Sequence, residues 1–231
     1  MFNYKKILTI FAHPDDETLS AGGTISRLTD NNCKVCVAIP STGINSRRNI
    51  QNKKIRDKNL KNLKKNALKA ITILGVDKKN IIFGKFADNE LDKYSLLELV
   101  HWIEKIIKKV KPDAILTHHK YCTNIDHQYC HDAVIIATRA KINSHINVYS
   151  AESPGSTGYI RPANWEPNYY VKISKKNLEA KLNAIKQYKG EVRPDPHPTS
   201  PEVLKALAKV RGSESGFLYA EAFMIQKLYQ I

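Results

Sequence analysis

The sequence predicts an α/β fold: a mostly parallel sheet with helices on both faces. Three observations carry that expectation. Short apolar runs alternate with helix-periodic stretches through the first 150 residues, the order that builds right-handed βαβ units. A chain of 231 residues, 42% hydrophobic and 26% charged, buries roughly 70% of its unfolded surface around one real core. Beyond residue 150 the pattern changes, with no internal repeat or low-complexity linker. One domain over 1–231 is the economical reading, 1–150 forming the core and 151–231 an extension packed on it.

Lys6–Ala12 reads as a buried strand and Asp16–Asp30 as the first helix. Lys34–Ile39 is a second strand. Residues 52–74 form a helix with Leu60, Leu63, Ala67, Ile71 and Leu74 on one face and Gly75 as its stop. Asn80–Phe83 is a short strand, and Leu91–Val110 a helix closed by Pro112. The strand Ala114–His118, a helix over 126–142 and the strand Ile146–Ser150 complete the core. Ser153–Asn168 is a long loop rich in Pro, Gly and Ser, and Tyr169–Ile173 alternates like an antiparallel or edge strand. Helices follow at 175–189 and 201–211. Between them four prolines (Pro194, Pro196, Pro198, Pro201) make a rigid, non-helical crossing.

The 37 Lys+Arg exceed the 22 Asp+Glu by 15. Residues 47–79 alone hold 12 Lys/Arg against Asp57 and Asp77, a net of +10. The plain reading is the solvated face of an amphipathic helix. The sharper one is attraction of an anionic substrate such as a phosphorylated or nucleotide-linked sugar. Few aromatics interleave with these lysines, which argues against a nucleic-acid stacking platform. No run approaches the ~20 apolar residues of a membrane span. The first twelve residues lead into a charged motif with no small-residue cleavage site, unlike a signal peptide. Four cysteines in a chain this long do not make a disulfide scaffold, so a reducing, cytoplasmic setting is expected. Cys33 and Cys36 fall on opposite sides of a strand and cannot act as a redox pair.

The strongest local signal is Ala12-His13-Pro14-Asp15-Asp16-Glu17, where the first strand gives way to the first helix. In open parallel sheets, ligands bind beyond the carboxyl ends of strands. His13 and Asp16 sit close enough along this turn to reach one ion, and imidazole plus carboxylate suits Zn²⁺, with Fe²⁺ also accommodated. Asp15 lies between them, facing the metal's water. The competing reading makes Asp15 or Asp16 a helix N-cap with Glu17 as a first-turn acid, which leaves the histidine unexplained. A third ligand is expected from His118-His119-Lys120-Tyr121-Cys122-Thr123-Asn124-Ile125-Asp126-His127. There His127 opens a helix and reaches the metal while Asp126 caps or orients it. A structural zinc held by His118, His119, Cys122, His127, Cys130 and His131 is the rival, but the spacing matches no finger pattern.

Together Ala12–Glu17, Gly22-Gly23-Thr24-Ile25, the helix ending Leu74-Gly75 and Asn124-x-Asp126-His127 resemble the PIG-L/LmbE family of metal-dependent N-deacetylases. Arg139, Glu152–Thr157, Arg193–Ser200, Arg211-Gly212-Ser213 and Ala220–Phe223 resemble a bacterial and archaeal branch of it. The resemblance implies a Rossmann-like fold and removal of the acetyl group from an N-acetylated amino sugar or its conjugate. It implies His13, Asp16 and His127 as zinc ligands and Asp15 as general base. Where better-known members carry a histidine three places before the last ligand, this chain has Asn124. Lys64, Lys65 and Asn66 also depart from the family's pattern.

On this reading Asp15 takes a proton from the attacking water and passes it to the leaving amine. A donor such as Asn124, His118 or His119 supports the oxyanion. Arg139, Glu152, Arg193 and His197 are candidate sugar or phosphate contacts. The alternatives are a metal- or sugar-binding module without turnover, which has no need of Asp15, and an amidase of thiol–sugar conjugates. Homo-oligomerisation is left open.

Overall fold

A computed structural model describes residues 4–41, 53–140, 145–160 and 164–230, with side chains described for all of these except 53–60. Seven strands form one sheet: β1 (Lys6–Ile10), β2 (Lys34–Ser41), β3 (Ile81–Phe86), β4 (Ala114–His118), β5 (Asn147–Ala151), β6 (Tyr169–Lys172) and β7 (Ala220–Lys227). Their spatial order is β3-β2-β1-β4-β5-β7-β6. The first five are parallel, while β7 runs antiparallel to β5 and β6 antiparallel to β7. From β1 the chain winds outward through β2 and β3, then returns to β4 on β1's other side. The β1–β4 boundary is therefore the topological switch point, where a crevice opens beyond the strand carboxyl ends.

Six α-helices cover the sheet: α1 (Asp16–Asp30), α2 (Lys53–Ile73), α3 (Leu96–Val110), α4 (Ile125–Ala137), α5 (Lys175–Ile185) and α6 (Pro201–Glu214). Alternation along the strands builds two cores. Ile7, Val35, Val37 and Leu116 pack on α1, α2 and α5 through Ile25, Leu28, Ile71, Leu74 and Ile185. Leu8, Ile10, Ala38 and Ile115 pack on α3 and α4 through Leu99, Ile103, Ala133 and Val134. Cys33, one residue before β2, belongs to the first core and Cys36, on β2, to the second; both are free thiols on opposite faces, as expected.

Local chemistry sets several boundaries differently from the sequence pattern. The predicted 91–110 helix begins at Leu96, because Ser95 caps it by accepting from Leu97 N–H; residues Leu91–Lys93 form a separate 3₁₀ turn. The 126–142 helix stops at Ala137, where the Thr138 hydroxyl donates to Val134 O at 2.8 Å. Residues 141–144 lie outside the described residues, as do 42–52, which hold Arg47 and Arg48 of the basic segment. Gly75 stops α2 as expected, at φ +88, and a Cβ there would stand 2.4 Å from Thr29 Oγ1. β7 was not foreseen.

Helix α1 is bent at Ala21, whose φ of −143 and ψ of 16 are not helical. The bend frees the backbone N–H groups of Gly23 and Thr24, and the Glu221 carboxylate of β7 accepts both, at 3.0 and 2.6 Å. Lys181 of α5 pairs with Glu221 at 2.6 Å, both side chains being only 5% exposed. The Gly-Gly-Thr run is thus explained by packing: a Cβ at residue 23 would fall 2.7 Å from Ile173 Cδ1.

Candidate active site

The parallel pairing of β1 with β4 brings the His13 turn and the start of α4 to one place, although His13 and Asp126 are 113 residues apart. Asp15 occupies φ 128, a conformation that L residues rarely adopt. Its carbonyl starts α1 by accepting from Thr18 and Leu19 N–H, but its side chain makes no cap bond. The N-cap reading therefore accounts for the backbone and leaves the carboxylate free for the pocket it lines. Buried Glu17 braces the turn. It accepts from Asp15 N–H at 3.1 Å and, at 2.6 Å each, from the hydroxyls of Thr18 and Tyr188. Burial pushes the Glu17 carboxyl up.

One carboxylate oxygen sits at the focus. Asp16 Oδ2 accepts from His13 N–H at 2.9 Å and lies 3.1 Å from His13 Nδ1 and 3.2 Å from His127 Nε2. Facing donor atoms of His13, Asp16 and His127 all fall within 4.8 Å of one another. The far nitrogens of both rings are held as well. His13 Nε2 donates to Asp126 Oδ2 at 2.9 Å, and His127 Nδ1 meets Cys122 Sγ at 3.0 Å. Asp126 is fixed in turn by Leu91 N–H at 3.0 Å. Two imidazoles and a carboxylate with braced outer nitrogens form a donor set that fits a divalent transition metal. Asp88 and Asp126 make a second grouping with His13, but it uses the ring nitrogen already bonded to Asp126.

Burial alone would lower the pKa of His127, but the Asp16 carboxylate outweighs it and lifts the ring to about 9. His13 is raised too, its burial outweighed by Asp126 and Asp16. Burial also raises Asp15 well above the ordinary carboxylate range, reinforced by the charges of Asp16, Glu191 and Glu17. Asp16 itself is held low by the His127 and His118 rings, against the opposing effect of burial.

A histidine shifted from 6.5 to about 9 adds stability that is complete below pH 6.5 and lost as pH rises through about 9. Metal-free protein is therefore expected to lose on the order of 5–10 °C in Tm between those limits. Thermal melts of wild type and His127→Gln check this: the variant should lose part of the dependence and keep the part due to His13, and equal pH dependence in the two proteins would refute the Asp16–His127 coupling.

A pocket of about 330 Å³ opens over these groups. His13, Asp15, Asp16 and His127 line it, joined by Asn124, the Ser153–Ser156 loop, Asp88, Glu191 and His197. Asn124 caps α4, its Oδ1 accepting from Asp126 and His127 N–H, while its Nδ2 donates to Asn89. His118 lies off the pocket lining, its Nε2 3.4 Å from Asp16 Oδ2. It is fully buried, its Nε2 accepts from Ala12 N–H at 2.8 Å, and Nδ1 then donates to Ser153 Oγ at 3.1 Å. Burial pushes its pKa down to about 3, and its ring stacks on His127 at 3.7 Å and 10°. His119 is buried against Trp165, off the lining.

Three expected substrate contacts also lie elsewhere. Arg139 follows the far end of α4, a 13-residue helix roughly 20 Å long, and pairs with Glu104 at 2.9 Å. Glu152 is taken by Arg211 in a two-point bond of 2.9 and 2.7 Å. Arg193 is exposed and outside the lining. The sequence reading passed over Asp88 and Glu191. Asp88 comes just past the end of β3, and only a strand reaching Phe86, beyond the expected Phe83, would have marked its position.

A probable N-acetyl-alpha-D-glucosaminyl L-malate deacetylase 2 of Bacillus cereus is 31% identical over 135 residues, 58% of this chain and 60% of that protein. The diacetylchitobiose deacetylase of Thermococcus kodakarensis is 28% identical over 231 residues, 94% of this chain and 81% of that protein. Among solved structures, the N,N'-diacetylchitobiose deacetylase of Pyrococcus horikoshii superposes with a TM-score of 0.76 at 23% identity, covering 97% of this chain and 85% of that one. GalB, a 4-carboxy-2-hydroxymuconate hydratase of Pseudomonas putida, reaches 0.75 at 19% identity over 98% of each chain. The fold thus hosts more than one chemistry, and function must be argued from the site. The family model described as GlcNAc-PI de-N-acetylase matches residues 8–138, more than half of the sequence, and the chain belongs to that PIG-L family.

Proposed function

We propose that this chain is a divalent-metal-dependent amide hydrolase that removes the acetyl group from an N-acetylated amino sugar or its conjugate. One observation carries the reading: a two-histidine, one-carboxylate donor set and a further, elevated carboxylate share one pocket at the switch point of the sheet. The names of the two similar deacetylases support the substrate class. His13, Asp16 and His127 would hold the cation, for which Zn²⁺ suits the donors best and Fe²⁺ is the alternative. Such an ion supplies an activated water at neutral pH and polarises the acetyl carbonyl.

The remaining work falls to the protein. Asp15 accepts a proton from water as its oxygen bonds to the acetyl carbon, and delivers that proton to the nitrogen as the C–N bond breaks. Acetate and a free amine leave. Burial of Asp15 beside Asp16 raises its carboxyl, the direction that suits a group that must both take and return a proton. Asn124 Nδ2 carries two hydrogens, one given to Asn89, and the other is available to the carbonyl oxygen. His197 and the Ser153–Ser156 loop are the sugar contacts the pocket offers.

Acetate release from free, phosphorylated and nucleotide-linked N-acetylhexosamines tests this directly. Release from at least one of them is expected, falling at least about 100-fold on chelation and returning with added Zn²⁺. Silence across the whole panel, or indifference to the chelator, would sink the reading.

A further inference from the structure

We infer that Cys122 is a positioning residue for the metal centre: its sulfur accepts a hydrogen bond from His127 Nδ1 and thereby turns the lone pair of Nε2 toward the cation. This rests on the ligand set proposed above. Sequence reading placed Cys122 only in a rejected structural-zinc cluster, and the hydrolytic mechanism gives it no task.

The geometry is specific. Cys122 is fully buried and absent from the pocket lining, so it is not a nucleophile or a fourth ligand there. Its sulfur lies 3.0 Å from Nδ1, on the side of the ring away from Asp16, which Nε2 faces at 3.2 Å. An imidazole that ligates through Nε2 must carry its proton on Nδ1, and a buried N–H without an acceptor is costly. Among the described residues, Cys122 Sγ is the acceptor that reaches Nδ1.

The sulfur is itself located by its surroundings. Cys122 bridges to Thr157, and Gln128 Nε2 donates to Cys122 O at 2.7 Å. Thr157 Oγ1 accepts from Ser153 N–H at 2.9 Å, which leaves its own proton directed at Cys122 Sγ, 3.9 Å away. The sulfur therefore has donors on two sides. A chain of contacts runs from Ser153, on the pocket wall, through Thr157 and Cys122 to His127. For the second histidine, Cys122 does what Asp126 does for the first, with His118 stacked on the ring face to stop it rotating.

The test is competition for Zn²⁺ against a chromophoric chelator, using the full chain as wild type, Cys122→Ser and Cys122→Ala, with melts of the metal-free proteins alongside. Serine keeps an acceptor and should bind within about threefold of wild type, whereas alanine should lose about 10–100-fold while its melt shows a folded protein. Folded Cys122→Ala that binds Zn²⁺ as tightly as wild type overturns the inference and leaves the ligand set standing. A wild type that takes up no metal overturns both. Nitrogen-15 NMR of zinc-loaded wild type needs no variant: His127 should be metal-bound at Nε2 and protonated at Nδ1, and the reverse tautomer overturns the inference whatever the variants do.

Discussion

Asp15→Asn is expected to keep its fold and its metal while acetate release falls by about 10²–10⁴-fold, the usual contribution of a positioned general base. The substitution isolates charge from shape. Asn has the outline of Asp and is among the few non-glycine residues that tolerate positive φ, so the turn at φ 128 should persist. The Asp15 backbone would still start α1, because the helix takes its carbonyl and not its carboxylate. Equilibrium metal binding and single-turnover acetate release, measured together, separate the outcomes. Full turnover in the variant would remove Asp15 from the mechanism; lost metal would make it part of the ligand set.

Lys181→Met is expected to cost about 3–5 kcal/mol of stability, because it strands the Glu221 carboxylate in the interior without its cation. For a chain of this size that lowers Tm by on the order of 10 °C. Glu221 would retain the Gly23 and Thr24 N–H groups, so the loss measures the missing charge rather than a missing helix cap. Replacing both partners, Lys181→Met with Glu221→Gln, should recover part of it, since the amide oxygen still accepts and no buried charge remains. Chemical denaturation of the two variants checks this, and an unchanged midpoint in Lys181→Met would show that Glu221 needs no counter-charge.

Where residues near in sequence act together, the fold and the candidate site are legible. The parallel core could be read because its strands are apolar runs of the right length between helices of the right period. The His13–Glu17 turn was visible because two metal-binding types and a spare carboxylate crowd into five residues. Long-range geometry was not legible. β7 has only the short apolar run Phe223–Ile225 between Ala, Glu, Gln and Lys, too brief to stand out as a strand, and it is completed by pairing between β5 and β6. His118 looked like a catalytic donor by its place at a strand end. The Ala12 N–H, 106 residues earlier, shows that its Nε2 is already used as an acceptor. Arg139 and Glu152 resembled substrate contacts until their partners Glu104 and Arg211 appeared, since sequence lists charges without showing which ones neutralise each other.

The bent first helix has a consequence for how the molecule is completed. Two of its amides wait for a carboxylate that arrives 198 and 197 residues later in the chain. Until β7 has been made and paired, the bend in α1 stays unfastened. Removing β7 would therefore loosen the helix that begins at the candidate site from nearly 200 residues away, without touching His13, Asp16 or His127.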